Sequence, residues 1–314
     1  QRAVRSRPDL AEAHNSLGNV LRQLGRVAEA AGCYRRAVEL LPASAVANNN
    51  LAVACEALGR LDEAASHYRR ALELDPHYAE AWSNFAGTLV AQGKPQEALE
   101  GYRRALDLNP ALAAAHTNLG NLLREQGRME DAIACHRRAL DLAPDFVPAL
   151  NNLGLALQDL GRLAEAELAH RRALAIDPRS AEANHNLGRV LLDQGRVDEA
   201  IACGRRAVEL KPQAVPTLDN VLVALAYHPD TPPASLRQAH AEYQQRHAAP
   251  LAGAWQPHAN GRDADRRLRL GFVSPDFARH PAGYFLGRTL ENLDPTQCEI
   301  VCYSDRLAAD DLTA

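Results

Sequence analysis

A histidine near the carboxyl end of the sequence has the surroundings of a catalytic or ligand-binding side chain. His280 lies in the stretch VSPDFARHPAGYF (273–285), directly before Pro281. Proline suits the first position of a helix and holds the preceding residue extended, so His280 should stand between a strand and a helix. Helix N-termini attract anions and lower the pKa of a nearby histidine. The imidazole could therefore accept a proton or bind a sugar hydroxyl; alternatively, it only caps the helix.

A row of asparagines offers a second kind of chemistry, the recognition of polypeptide backbone. With Ser16 one interval earlier, the row recurs every 34 residues at Asn50, Asn84, Asn118, Asn152, Asn186 and Asn220. Each amide carries donors and an acceptor, which suits an extended peptide whatever its side chains are. At about 0.5–1.5 kcal/mol net per hydrogen bond, the row could hold a peptide only as an array. The alternative is that the amides bond between adjacent helices, and the spacing does not decide between the two.

The elements that position the asparagines follow the same period. Prolines recur at Pro8, Pro42, Pro76, Pro110, Pro144, Pro178 and Pro212, and glycines at Gly25, Gly59, Gly93, Gly127, Gly161 and Gly195. Proline ends a helix and glycine permits the turn between two helices, so the period predicts a solenoid of helix pairs. We predict six full units, 11–44, 45–78, 79–112, 113–146, 147–180 and 181–214. The tail of a preceding unit covers 1–10, and a degenerate unit begins at 215.

Paired arginines form another row in the second helix of each unit. They are Arg35-Arg36, Arg69-Arg70, Arg103-Arg104, Arg137-Arg138, Arg171-Arg172 and Arg205-Arg206. Acids follow the first arginine of most pairs by four residues, as Glu39 follows Arg35, so we predict ion pairs on a solvated outer face. The alternative is a phosphate-binding strip, although no aromatic residues are interleaved for base stacking.

The repeat decays after Asn220, and the local periodicity changes at Leu268. We predict one further helix at about 234–248 and then a linker. LRLGFV (268–273) reads as a strand, PAGYFLGRTLENL (281–293) as a helix and CEIVCYS (298–304) as a strand. This order predicts a β-α-β unit with parallel strands. The predicted organisation is a solenoid over 1–228, a helix and linker over 229–266, and the beginning of an α/β domain over 267–314.

Composition excludes several classes of protein. The 314 residues carry a net charge of −4, which gives no general affinity for nucleic acid or an anionic membrane. No apolar run approaches the roughly 18 residues of a membrane span. Three of the six cysteines, Cys33, Cys135 and Cys203, are copies of one repeat position, and no C-x-x-C occurs, so we expect buried thiols in a reducing cytoplasm. The histidine spacings match no metal motif. The chain opens with Gln1 and its only methionine is Met129, so we expect a piece of a longer protein.

Two stretches carry a family resemblance. NLGNLLREQGRMEDAIACHRRALDLAP (118–144) resembles the tetratricopeptide repeat. LRLGFVSPDFARHPAGYFL (268–286), followed by CEIVCYS and DDLT, resembles the start of the catalytic region of O-GlcNAc transferase-like proteins, which include the plant SPINDLY proteins. The resemblance implies an all-α tetratricopeptide-repeat superhelix joined to the first β-α-β unit of a GT-B, Rossmann-like α/β domain. By the same resemblance, His280 is the active-site histidine and the asparagine row is the peptide-binding ladder.

The resemblance also implies an activity. Such an enzyme transfers a sugar from a nucleotide donor, here expected to be UDP-GlcNAc, to Ser or Thr of acceptor proteins held by the repeats, without metal or cofactor. It binds the nucleotide mainly in a second lobe that this sequence does not contain, so we expect the fragment to bind peptide but not to catalyse. Two alternatives stay open: a GDP-fucose donor in the SPINDLY manner, and a non-catalytic repeat scaffold.

Overall fold

The structure is a computed structural model that describes residues 10–254, 268–273 and 298–303. The chain divides into two compact units, Gln1–Ala252 and Gly253–Ala314. No helix in the described residues is both long enough and apolar enough to cross a bilayer.

The first unit consists of helices in consecutive antiparallel pairs, as the repeat predicts. In chain order the helices are α1 Ala11–Gln23, α2 Val27–Leu40, α3 Ala45–Ala57, α4 Leu61–Leu74, α5 Ala79–Ala91, α6 Pro95–Leu108, α7 Ala113–Glu125, α8 Met129–Leu142, α9 Val147–Asp159, α10 Leu163–Ile176, α11 Ala181–Asp193, α12 Val197–Leu210, α13 Val215–Tyr227 and α14 Pro233–Tyr243. The pairs from α1 to α12 fall in the six units predicted from the sequence, one pair to each unit. The prediction of an all-helical repeat superhelix is therefore confirmed.

The turn inside each pair depends on a glycine in the left-handed region. The six periodic glycines, Gly25 to Gly195, have φ between 72° and 77°. After Gly25, the Arg26 amide donates to the Leu21 carbonyl at 2.9 Å, which closes the helix end in the manner of a Schellman motif. A side chain at this φ would be strained, so the glycine row fixes where the first helix of each of the six full units stops.

Small residues let the helices of a pair approach closely. The alanines of two rows in the second helices are almost inaccessible to solvent, for example Ala64 and Ala71 at 0% exposure. Next to them, a ring from the second helix packs on a small residue of the first. Tyr34 lies on Gly18, and a Cβ added at Gly18 would come within 2.5 Å of that ring. In the first five units the core therefore combines one ring from the second helix with alanine methyl groups and larger aliphatic side chains such as Leu51 and Ile133.

Two units place a histidine where the first three units have tyrosine. His136 packs on Gly120 and His170 packs on Gly154, and both imidazoles are fully buried. Neither ring has a hydrogen-bond partner among the described residues. Burial, together with a nearby arginine in each case, lowers the pKa of both histidines from 6.5 to about 4. Their neutral forms thus stabilise the fold above pH 6.5, and that contribution is lost as the pH falls towards 4.

The outer face carries ion pairs, with a different geometry from the predicted one. The acid pairs with the second arginine at i+3, as in Arg36–Glu39 at 2.9 Å. The first arginine of the pair instead reaches the next unit, as in Arg35–Glu63 at 3.0 Å. These side chains are mostly exposed, so each pair contributes at most about 1 kcal/mol. The arginine row thus lies on a solvated face on which many of its charges are paired with acids.

The carboxyl end departs from the repeat. Helix α13 ends at Tyr227, the position at which the earlier first helices end, but Pro229 replaces the turn glycine, and no residue of α14 is buried. The chain then continues through a π-helical turn, Gln244–Ala248, and a 3-10 turn, Ala249–Ala254.

Two parallel strands represent the second unit among the described residues. They are β1 Leu268–Val273 and β2 Cys298–Tyr303, with Leu268 opposite Cys298. The helix predicted at 281–293 and His280 lie outside the described residues. The β-α-β unit and the GT-B domain therefore stay predictions.

Replacing His136 by tyrosine should stabilise the first unit. The Tyr34 hydroxyl donates to Asn19 Oδ1 at 2.7 Å, and Asn121 occupies the same position of its own unit with a buried, unpartnered Oδ1. His136→Tyr therefore adds a hydrogen bond and removes a partnerless imidazole. We expect the free energy of unfolding, measured with urea at pH 7, to rise by about 1–2 kcal/mol.

His170→Tyr is the matched control, because the position equivalent to Asn121 is Leu155 and supplies no acceptor. Its gain at pH 7 should be smaller. Both variants should lose less stability than the parent protein between pH 7 and pH 5. If both variants gain the same stability at pH 7, the hydrogen bond to Asn121 is not the source of the gain in His136→Tyr.

Candidate functional site

The first helices of the units line the inner face of the solenoid. Each of them packs against the first helices of adjacent units, and the second helices of the described residues show no comparable packing with one another. In a curved stack the more closely spaced elements lie on the inside. The asparagine row belongs to these first helices, at one position in each of α3, α5, α7, α9, α11 and α13.

Some asparagines of the row bond to the preceding unit. Asn50 Nδ2 donates to Asn15 Oδ1 at 2.9 Å, and Asn84 Nδ2 donates to Asn49 Oδ1 at 3.2 Å. In both pairs the partner lies 35 residues earlier, one helix position before the row residue of its own unit, which is Ser16 in the first case and Asn50 in the second. At the carboxyl end, Asn220 Nδ2 lies 3.4 Å from a ring nitrogen of His185, which has the same separation. These amides connect neighbouring first helices.

The middle of the row is different. Asn118 is exposed and Asn152 is half-buried, and neither side chain has a hydrogen-bond partner among the described residues. The residues 35 positions earlier are Ser83 and Thr117, whose hydroxyls are shorter than an amide. The Thr117 hydroxyl donates to the Ala113 carbonyl of its own helix at 3.1 Å. Asn118 and Asn152 therefore keep a donor and an acceptor available to a ligand.

Asn186 is a third case. It is 4% exposed, and its Nδ2 has no partner in the described part of the chain. The residue 35 positions earlier is Asn151, whose Oδ1 is also buried without a partner. The bond found at the two amino-terminal pairs is thus not formed here.

A second inter-unit network was missed by sequence reasoning. Arg124 Nε donates to Asp159 Oδ2 at 2.7 Å, and Gln158 Nε2 donates to Asp193 Oδ2 at 2.6 Å. The signal was the acid row Glu125, Asp159 and Asp193, one period apart, with a donor 35 residues before each of the last two. This network ties together the carboxyl ends of the first helices in the middle of the stack.

The junction of the fifth and sixth units holds a further unexpected charge. Glu167 occupies a position that is apolar and buried in the other units, for example Ile133 and Ile201. It accepts hydrogen bonds from Arg171 and Arg196, both at 2.8 Å. Burial would raise the pKa of Glu167, but these bonds and one from a glutamine outweigh it and lower the pKa to about 2. The carboxylate therefore stays ionised.

The predicted catalytic residue cannot be placed beside the row, because His280 lies outside the described residues. Within those residues, no group of three or more His, Cys, Asp or Glu side chains is arranged to hold a metal ion.

Comparison with known proteins identifies the repeats. Two family models, both described as tetratricopeptide repeat, match residues 1–45, 17–79 and 151–215 and residues 77–145 and 111–179, so that together they cover 1–215. The chain is 36% identical over 91 residues to the probable UDP-N-acetylglucosamine–peptide N-acetylglucosaminyltransferase SPINDLY of Hordeum vulgare. That match covers 29% of this chain and 10% of the barley protein, so it spans about a tenth of the curated relative.

Two solved structures are similar to the chain. An O-GlcNAc transferase mutant of Thermobaculum terrenum matches with a TM-score of 0.55 and 33% identity, over 65% of this chain and 39% of that one. A chain of the APC/C hetero-tetramer Cut9-Hcn1 matches with a TM-score of 0.67 and 20% identity, over 71% of this chain and 44% of that one. The second likeness shows the fold alone.

The two classes of asparagine should differ in their effect on stability. Asn50→Ala and Asn84→Ala each remove a bond between units, so we expect the free energy of unfolding to fall by about 1 kcal/mol. Asn118→Ala and Asn152→Ala break no bond within the described residues and should change it by less than about 0.5 kcal/mol. Urea titration followed by circular dichroism measures both pairs. Equal losses in all four variants would mean that the whole row is structural.

Proposed function

Because residues 1–215 belong to the tetratricopeptide-repeat family, we propose that the inner face of this solenoid binds an extended segment of another polypeptide. The observation that carries the proposal is the pair of amides at Asn118 and Asn152, which are accessible and have no side-chain partner within the described residues. The outer face offers a less suitable surface, since many of its arginines are already paired with acids.

The chemistry of the row suits a peptide backbone. Asn118 and Asn152 can each donate to a peptide carbonyl and accept from a peptide N–H, whatever the side chains of the ligand are. Asn84 gives its Nδ2 to Asn49, so its Oδ1 remains as an acceptor for a ligand N–H. The inner face thus provides a few weak, sequence-tolerant bonds arranged along the stack.

We further propose that the chain is part of a protein O-glycosyltransferase whose repeats hold the acceptor protein. Support comes from the 36% identity to the barley SPINDLY protein and the 33% identity to the Thermobaculum enzyme. In the reaction, the hydroxyl of an acceptor Ser or Thr attacks the anomeric carbon of the donor sugar, and the nucleoside diphosphate leaves with the electrons of the broken bond. His280 would accept the hydroxyl proton or orient the donor. UDP-GlcNAc is the proposed donor, with no metal or cofactor, and a cytoplasmic location is proposed with it.

A non-catalytic scaffold is the second candidate. It is favoured by one observation: among the described residues, the features that suit peptide binding all lie in the first compact unit. The two candidates share the groove and differ only in whether a sugar is transferred.

Removing the two free amides should weaken peptide binding. We expect Asn118→Ala combined with Asn152→Ala to raise the Kd of a fluorescein-labelled, uncharged and unstructured peptide by about tenfold, as measured by anisotropy. Gln96→Ala is the control, because it removes an exposed amide from a second helix. If the double variant binds as tightly as the parent protein, the inner face is not the binding surface.

Sugar transfer should be tested on the protein in its full natural length. We expect peptide glycosylation with UDP-GlcNAc, detected by mass spectrometry, and a decrease of about 100-fold or more in His280→Ala. The thermal unfolding of this variant should match that of the parent protein. If sugar is transferred only from GDP-fucose, the enzyme is a fucosyltransferase and UDP-GlcNAc is not its donor. Peptide binding without transfer from either donor would support the non-catalytic scaffold instead. Undiminished turnover in His280→Ala would show that His280 has no catalytic role and only caps the helix.

A further inference from the structure

An arginine lies on the inner face where the neighbouring units have apolar residues. Arg189 is in α11, three residues after Asn186, and therefore on the same side of that helix. It is half-buried. The equivalent residues of the units before and after it are Leu155 and Val223. A guanidinium thus stands between two aliphatic side chains on the surface proposed to hold the polypeptide.

Arg189 forms no ion pair or hydrogen bond within the described residues. The contrast is with Arg124, another inner-face arginine, which pairs with Asp159 at 2.7 Å. The acid one turn after Arg189 is Asp193, and its carboxylate accepts from Gln158 at 2.6 Å. The charge of Arg189 also acts on two nearby histidines. Burial is the main reason that the pKa values of His170 and His185 are lowered, and repulsion from the Arg189 charge lowers them further.

The neighbour of Arg189 on this face also lacks an acceptor. Asn186 is more than nine-tenths buried, and its Nδ2 is an unpartnered donor within the described part of the chain. A buried donor without an acceptor costs about 1–3 kcal/mol, and a half-desolvated guanidinium gains most from an anion. This stretch of the inner face therefore carries an amide donor and a full positive charge, neither of which has an acceptor among the described residues.

We propose that Arg189 forms a subsite for an anionic side chain of the bound polypeptide, either a carboxylate or a phosphorylated Ser or Thr. The planar guanidinium can donate two parallel hydrogen bonds to either oxyanion. The equivalent positions of the adjacent units hold Leu155 and Val223, which offer the guanidinium no competing acceptor. The inference rests on the proposed binding of polypeptide to the inner face, and adds a selectivity that the amide row cannot supply.

The test compares otherwise identical unstructured peptides that carry a central run of Ser, Asp, phosphoserine or Lys. For the 314-residue protein, we expect the Asp or the phosphoserine peptide to bind more tightly than the Ser peptide, and the Lys peptide more weakly. Arg189→Gln should weaken binding of the preferred anionic peptide by about tenfold and leave the Ser peptide within about twofold. The two anionic peptides show which oxyanion is preferred.

Two further variants complete the experiment. Arg103→Gln, which removes an exposed, unpaired arginine from a second helix, should change neither affinity. Arg189→Leu introduces the residue found at this position in the preceding unit. It should weaken binding of the anionic peptide as much as Arg189→Gln does, because both variants lack the guanidinium. If all four peptides bind with equal affinity and Arg189→Gln does not change it, the anionic subsite is wrong, but polypeptide binding to the inner face still stands. No binding of any peptide would overturn both.

Discussion

The close approach of two helices within each unit is the contact on which the solenoid depends. Alanines such as Ala64 and Ala71 are fully buried between helices, and in three units a ring packs directly on a glycine of the first helix, as Tyr34 does on Gly18. Because this contact recurs every 34 residues, the same position of every first helix reaches the same side of the stack. The constant period therefore places the amide row, the acid row at the helix ends and Arg189 on one surface. A unit of different length would rotate the units after it, and these side chains would no longer face the same ligand.

The features that could be predicted from the sequence are those that depend on residues within a single repeat. The period, the unit boundaries and the turn glycines could be predicted, because each depends on one residue type at one spacing. The outer ion pairs were predicted on the correct face with the wrong partners, since the choice between Arg35 and Arg36 for Glu39 depends on side-chain direction and on Glu63 of the next unit. The β-α-β unit and His280 lie largely or wholly outside the described residues and stay predictions.

The division within the asparagine row shows why the site was harder to predict than the fold. Every member has the same residue type and spacing, so the row looks uniform. What separates Asn84 from Asn118 is the residue 35 positions earlier, which is an asparagine in one case and a serine in the other. Neither repeat contains this information by itself. Both interpretations of the row, structural and recognition, thus have candidates among its members.

The ring of charges around Glu167 has a consequence for how the stack comes apart. In a one-dimensional array each unit is stabilised mainly by its neighbours, so the junction with the least apolar contact separates first. The largest hydrophobic cluster begins at Leu21 and crosses this junction with a single buried residue, Val190, whereas the other buried apolar residues of the last helices belong to separate smaller clusters. At the same junction, a carboxylate replaces the aliphatic side chain of the other units. We therefore expect high salt to loosen the helices from α11 onwards while the first five pairs remain folded, so that the solenoid melts as two blocks.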